Sequence, residues 1–190
     1  MPTATRQKLV DAAAKRFYRD GFRNVGIDQI LSDVGISKTA FYKHFECKED
    51  LVLAALDDRT RWMENTFLEM VRKRGGKCPI AQLRALFDVV DEIIRSDDFQ
   101  GCIFVNVAME FPLAHDPAHV AAARAKNAME NLVAEIGAQA GVKEPRALAQ
   151  ELCLVMEGVY VTRHVTGNPD TIDIARRIAD RIIDVHLPAS

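Results

Sequence analysis

The sequence predicts an all-α protein of about nine helices. A three-helix head carrying a helix-turn-helix is expected over residues 1–48, and a larger helical domain over residues 49–190. Three observations predict this. Apolar residues recur at the helical spacing of three to four positions through nearly the whole chain. No segment alternates convincingly between apolar and polar residues, and the β-branched runs are short and lie inside helical periods. Charge is also unevenly divided. Residues 1–48 hold nine Lys/Arg and five Asp/Glu, a net +4, whereas the rest holds sixteen and twenty-two, a net −6. A basic head on an acidic body fits a polyanion-binding module joined to a second domain.

Leu9, Ala12, Ala13 and Phe17 form one stripe of the first helix, with Thr5 placed to cap it. Gly21 is placed to end that helix in the left-handed conformation, and Phe22 to fold back onto Phe17. Ile27, Ile30, Leu31 and Val34 mark a second, short helix that Gly35 ends. Ser37 caps a third, expected to run to about Phe45. A fourth starts near Cys47 and carries Leu51, Ala55, Trp62, Met63, Phe67 and Met70 until "RGGKCP" stops it. Leu83, Leu86, Phe87, Val90 and Ile94 form the next. "GCIFVNVAMEFP" reads as a short, very apolar helix ended by Pro112. A long Ala-rich helix is expected over about Pro117 to Ala140, and another from Leu148 to about Val165. After the turn "TGNPDT", Ile172 to His186 closes the chain, with Ile174, Ile178, Ile182 and Ile183 on one face.

At 48% hydrophobic and 27% charged, this is the composition of a folded globular chain. The N-terminus lacks an apolar signal segment, and no apolar run reaches about 18 residues, so neither a leader nor a membrane span is expected. Cys47, Cys78, Cys102 and Cys153 are far apart and form no CxxC pair, so reduced thiols and a cytoplasmic location are the expectation. There is no Ser-His-Asp order, Gly-rich phosphate loop or HExxH, and hence no pointer to an enzyme or a cofactor. His115 and His119 are four apart, but Pro117 between them spoils a helical metal pair.

The stretch "SDVGISKTAFYKHF", Ser32 to Phe45, places large aromatics and cations together beside a glycine turn. On a helix turning about 100° per residue, Phe41 and Phe45 fall within about 40° of each other and form a core anchor. Thr39, Ala40, Tyr42 and Lys43 then face outward. Helix, tight turn and helix in this order form the shape whose second helix enters the DNA major groove. Short side chains at Thr39 and Ala40 permit close approach to base edges, and Tyr42 and Lys43 are long enough to reach phosphates. A glycine turn between amphipathic helices also occurs in helical domains that bind no nucleic acid.

The run from Gly21 to Leu51 resembles the DNA-binding domain of the tetracycline-repressor (TetR) family. The matching marks are Gly21-Phe22, Ile30, Gly35-Ile36-Ser37, Tyr42, Phe45 and Lys48-Glu49-x-Leu51. The resemblance implies a homodimeric, ligand-responsive repressor that recognises a near-palindromic operator in double-stranded DNA. Carried over by position, it implies that Lys38, Thr39, Ala40, Tyr42, Lys43 and His44 belong to the recognition helix and that Lys48 contacts a phosphate. Two positions depart from the family pattern. Val25-Gly26 stand where threonine or serine is usual, which removes a hydroxyl that often holds a phosphate. Cys47 stands where serine is common.

In the larger domain Cys102, Asn106 and Glu110 share one face at i, i+4 and i+8. They either hydrogen-bond to neighbouring helices or line a small-molecule inducer pocket, apolar with a few polar groups. Trp62, Met63, Phe67, Phe87, Met109, Met129, Met156 and Tyr160 are the wall candidates, although a Met or aromatic stripe at helical spacing is usually core. Leu148, Leu152, Val155, Val159, Ile174, Ile178 and Ile182 are the expected dimer face, with Gly158 allowing close approach. The alternatives are a redox-sensing regulator switched through Cys47, where a helix start and Lys48 would favour a thiolate, and an all-helical small-molecule-binding protein or enzyme.

Overall fold

The computed structural model describes residues 4–188, and every regular element among them is helical. The elements are α1 (Ala4–Asp20), α2 (Ile27–Val34), α3 (Lys38–Phe41), α4 (Lys48–Trp62), a π-helical segment (Met63–Phe67), α5 (Leu68–Gly75), α6 (Pro79–Ile94), α7 (Ile103–Glu110), α8 (Pro117–Gln139), α9 (Pro145–Thr166) and α10 (Thr171–His186). The backbone stays right-handed helical from Lys48 to Gly75 through the π segment. With α4, the π segment and α5 counted together, the described residues hold the nine helices that the periodicity predicts.

Two compact units form. The first joins Met1–Arg61 to Ile103–Ala125, and the second joins Trp62–Cys102 to Lys126–Ser190. The first unit thus holds α1 to α3, most of α4, α7 and the start of α8.

In the first unit Leu9, Val10, Ala13 and Phe17 are buried along α1. The helix is already formed at Ala4, so Thr5 lies in its first turn and is not its cap. Gly21 takes φ +88°, its N–H donates to the Phe17 carbonyl at 3.0 Å, and the Phe22 ring stacks on Phe17 at 5.2 Å. Arg16 donates to both oxygens of Asp33, at 2.5 and 2.7 Å, and so ties α1 to α2. Gln29 accepts the Gly26 N–H at 2.7 Å, the back-bond of a capping box whose other bond a glycine, having no hydroxyl, does not supply.

α3 is shorter than expected. Ser37 caps it, accepting the Ala40 N–H at 3.2 Å, but α-helix ends at Phe41. The His44 and Phe45 N–H groups both donate to the Phe41 carbonyl, at 2.8 and 3.1 Å, so the chain tightens into a turn. Asp50 explains the break. Its carboxylate takes the N–H groups of Glu46 and Cys47, at 3.0 and 3.3 Å, and so starts α4 with donors that a longer α3 would have held.

In the second unit one core runs from Phe67 and Val71 through Leu83, Leu86, Phe87 and Val90 to Leu148, Leu152, Met156, Val159 and Ile183. α9 begins three residues before Leu148, because Pro145 suits the first helical turn, where no N–H is required. Arg84 bonds Asp180 and Asp184 at 3.0 Å each, and Arg176 bonds Asp88 and Asp91 at 3.0 Å each, which fastens α10 to α6. Burial alone would raise the Asp91 carboxyl, but the Arg95 and Arg176 guanidinium groups outweigh it and hold it below the ordinary carboxylate range.

α5 and α6 meet closely at Gly75, where an added Cβ would lie 2.5 Å from the Gln82 backbone. The Gln82 side chain donates to the Gly76 carbonyl at 2.6 Å and closes the connection. Gly75→Ala should therefore destabilise despite alanine's better helix propensity, worth about 1 kcal/mol, because overpacking costs about 1–3 kcal/mol. Thermal unfolding should show a Tm a few degrees lower; a Tm unchanged or raised would contradict the close approach.

Candidate nucleic-acid interface

The interface starts from two fully buried rings. Phe41 and Phe45 are 0% and 4% exposed, with centroids 5.6 Å apart. They sit four positions apart on the inner side of α3 and its following turn, so the residues between them must face outward. Tyr42 is 52% exposed, its ring edge-on to Phe41 at 5.3 Å. Lys38, Thr39 and Lys43 are exposed, and Ala40 and His44 are half-buried. Lys38 lies 3.4 Å from Asp28, a solvent-exposed pair of small net energy that a phosphate readily displaces. The structure thus brings Lys38, Thr39, Ala40, Tyr42, Lys43 and His44 to one short surface.

Lys48 opens α4. Its Nζ donates to the Arg23 carbonyl at 3.3 Å and stands 5.9 Å from the centre of the Phe17 ring. One donor is thus used to aim the ammonium, and two remain. Arg6 of α1 lies over the Phe45 ring at 4.9 Å. Arg6, Tyr42, Lys43, His44, Glu46, Asp50 and Asp57 line an open groove of about 760 Å³ beside the recognition turn.

Cys47 does not carry an activated thiolate. The largest influence, a hydrogen bond involving the Asp50 backbone, lowers its pKa, but burial and the carboxylates of Glu49 and Asp50 together outweigh it and push the thiol up. The expected help from Lys48 and a helix start is cancelled by the two acidic residues of α4's first turn.

The expected pocket residues are divided between the units. Trp62, Met63, Phe67, Phe87, Cys102, Met129, Met156 and Tyr160 belong to the second unit, whereas Asn106, Met109 and Glu110 belong to the first. Phe67, Phe87 and Met156 are buried in the second unit's core, with Trp62, Met129 and Tyr160 packed against it. Cys102 precedes α7 and so does not share its face as the i, i+4, i+8 spacing suggested. Met109 is 76% exposed. Glu110 is taken up by the head: its oxygens accept the N–H groups of Phe22 and Arg23 at 2.9 and 2.7 Å. His119 donates through Nδ1 to the Phe111 carbonyl at 2.9 Å. Glu110 was missed as a head residue because its partners lie 88 and 87 positions away and leave no local signal.

Of the expected dimer face, Ile174 and Ile178 are exposed on α10. Leu148, Leu152 and Val159 are buried in the core of their own chain, and Val155 and Ile182 pack against that core. The apolar positions left exposed are Leu154, Val161 and Val165 on α9 and Ile174, Ile178 and Val185 on α10. The core took the inward side of each helix: on α9 the exposed Leu154 and Val161 each lie two positions beyond the buried Leu152 and Val159.

The family profile described as bacterial regulatory proteins, tetR family, matches residues 9–55, and a tetracyclin repressor-like C-terminal domain profile matches residues 79–179. The transcriptional regulator AcuR of Cereibacter sphaeroides is 24% identical over 178 residues, 87% of this chain and 79% of its own. The crystal structure of SCO4454, a TetR-family transcriptional regulator from Streptomyces coelicolor, superposes with a TM-score of 0.88 at 26% identity, covering 97% of this chain and 96% of that one. A tetR-type regulator from Streptomyces avermitilis superposes with a TM-score of 0.82, also at 26% identity, over 97% and 98%.

Proposed function

The chain belongs to the tetR family of bacterial regulatory proteins and is a DNA-binding transcriptional regulator, and from that premise we propose that it represses as a homodimer released from its operator by a small molecule. The observation that carries the DNA-contact assignment is the opposition of faces around Phe41: rings buried on one side, Tyr42 and Lys43 exposed on the other. Thr39 and Ala40 lie against base edges, Tyr42 and Lys43 reach the backbone or a base, and Lys48 holds a phosphate.

A duplex that the wild-type chain selects from a random-sequence pool provides the probe. Tyr42→Ala and Lys43→Ala should both weaken binding while leaving the fold intact, because neither side chain enters the core. Each lost phosphate contact should reduce the slope of log affinity against log salt by about one. Unchanged affinity in both variants would remove the recognition assignment.

Dimerisation follows from the geometry of DNA. Single helix-turn-helix modules act in pairs with recognition elements about 34–36 Å apart, one helical turn, and so favour a near-palindromic site. The exposed apolar positions support an interface built from α9 and α10 of two copies. Leu154, Gly158, Val161 and Val165 fall at i, i+4, i+7 and i+11, one stripe of α9, and Ile174, Ile178 and Val185 form the matching stripe of α10. A Cβ built at Gly158 meets no atom within 4 Å, so nothing inside the chain calls for a glycine there. Close approach by a second copy does.

We place the inducer site in the second unit, with the half-buried Trp62, Met129 and Tyr160, which pack against its core, as contacts. An apolar molecule of modest size suits that lining. Release requires only that the molecule prefer one conformation, and coupling of about 1–3 kcal/mol would change DNA affinity by about 5–150-fold.

A further inference from the structure

The end of α1 exposes two backbone donors. After Gly21 turns left-handed, the N–H groups of Phe22 and Arg23 have left the helical ladder, and both are taken by the single carboxylate of Glu110, at 2.9 and 2.7 Å. Bonds from backbone N–H to an ionised carboxylate are among the strong ones. The fit depends on glycine. A Cβ built at Gly21 would lie 3.3 Å from Glu110 Oε1. The next residue repeats the contact through rings. Phe111 stands edge-on to Phe22 at 6.4 Å, and the Arg23 guanidinium lies 5.2 Å over the Phe111 ring. The Arg23 carbonyl, on the far side of the same residue, accepts the Lys48 ammonium at 3.3 Å.

We propose that Glu110 is a positioning residue for DNA binding: it fixes the Phe22–Arg23 backbone so that the Arg23 carbonyl holds Lys48 where the operator phosphate arrives. This rests on the reading of Lys48 as a phosphate contact. Without the carboxylate the two N–H groups turn to water, the turn gains conformations, and Lys48 must be ordered at the moment of binding, at a cost in affinity. α7 thereby becomes part of the DNA-binding apparatus, although it is distant from it in sequence.

The test uses the full chain and the duplex selected from a random-sequence pool. In Glu110→Ala the Phe22 and Arg23 amides should exchange with solvent at least about tenfold faster. Affinity for the duplex should fall about tenfold, and the salt slope should drop toward that of Lys48→Ala. Glu110→Ala should add nothing further in a Lys48→Ala background, since both act through the same phosphate contact. A contact that merely stabilised the fold would instead lower Tm and leave affinity well below the transition unchanged. Faster amides with unchanged affinity and slope, or full additivity with Lys48→Ala, would overturn the proposal. Should Glu110→Ala fail to fold, Glu110→Gln carries the same comparisons, since it keeps the shape and one acceptor and removes the charge. A wild-type chain that selects no sequence overturns the DNA-contact reading itself, whereas the outcomes above overturn only the role of Glu110.

Discussion

Leu154→Glu combined with Ile178→Glu is expected to give a folded monomer that no longer binds specific DNA. Both side chains are exposed in the single chain, at 72% and 41%, so charge there leaves the core intact and far-UV circular dichroism unchanged. In a two-fold assembly each position is used twice, so two substitutions bury four carboxylates against apolar surface. An unpaired buried charge costs several kcal/mol, more than a helical interface of this kind tolerates. Sedimentation should show the monomer mass. Specific affinity should fall by about a thousandfold or more, to the level of non-specific binding, because the remaining head reads one half-site. A dimer that survives both charges would place the interface elsewhere. Leu152→Glu makes the contrast: Leu152 is 0% exposed, so that change should unfold the second unit instead of dissociating a dimer.

Phe41→Ala should have the second large effect, on the head. The Phe41 ring is fully buried and contacts both Tyr42 and Phe45. Removing a buried phenylalanine costs about 3–5 kcal/mol, which approaches the whole stability of a small domain. α3 is too short to persist without that anchor, since its four residues make few helical bonds of their own. DNA binding should be lost, and amide protection should collapse in the first unit, residues 4–61 and Ile103–Ala125, while it remains in the second, Trp62–Cys102 and residues 126–188. Uniform loss of protection along the chain would show that the two units unfold as one.

Much of the fold is legible in the sequence because helices bury a stripe that repeats every three to four residues. The stripe Leu9, Ala13, Phe17 and the pair Phe41 and Phe45 are visible without coordinates, as are the helix-ending glycines at 21 and 35, which the structure shows at φ +88° and +73°. Local competition is harder to read. The end of α3 depends on which acceptor wins the N–H groups of residues 46 and 47, and Asp50 takes both from within the next helix.

By itself, then, the sequence determined the helical class, the order of the elements, the helix-turn-helix and the outward set around Tyr42 and Lys43. All of these follow from contacts between residues a few positions apart. Tertiary structure decided the rest. It turned Leu148, Leu152 and Val159 into the core and left Leu154, Val161 and Val165 outside, a choice that the periodicity of α9 cannot make, since apolar residues occupy both of its sides. It also carried Glu110 across 88 residues to the turn at Phe22, where two unpaired backbone donors required an acceptor that no nearby residue supplied.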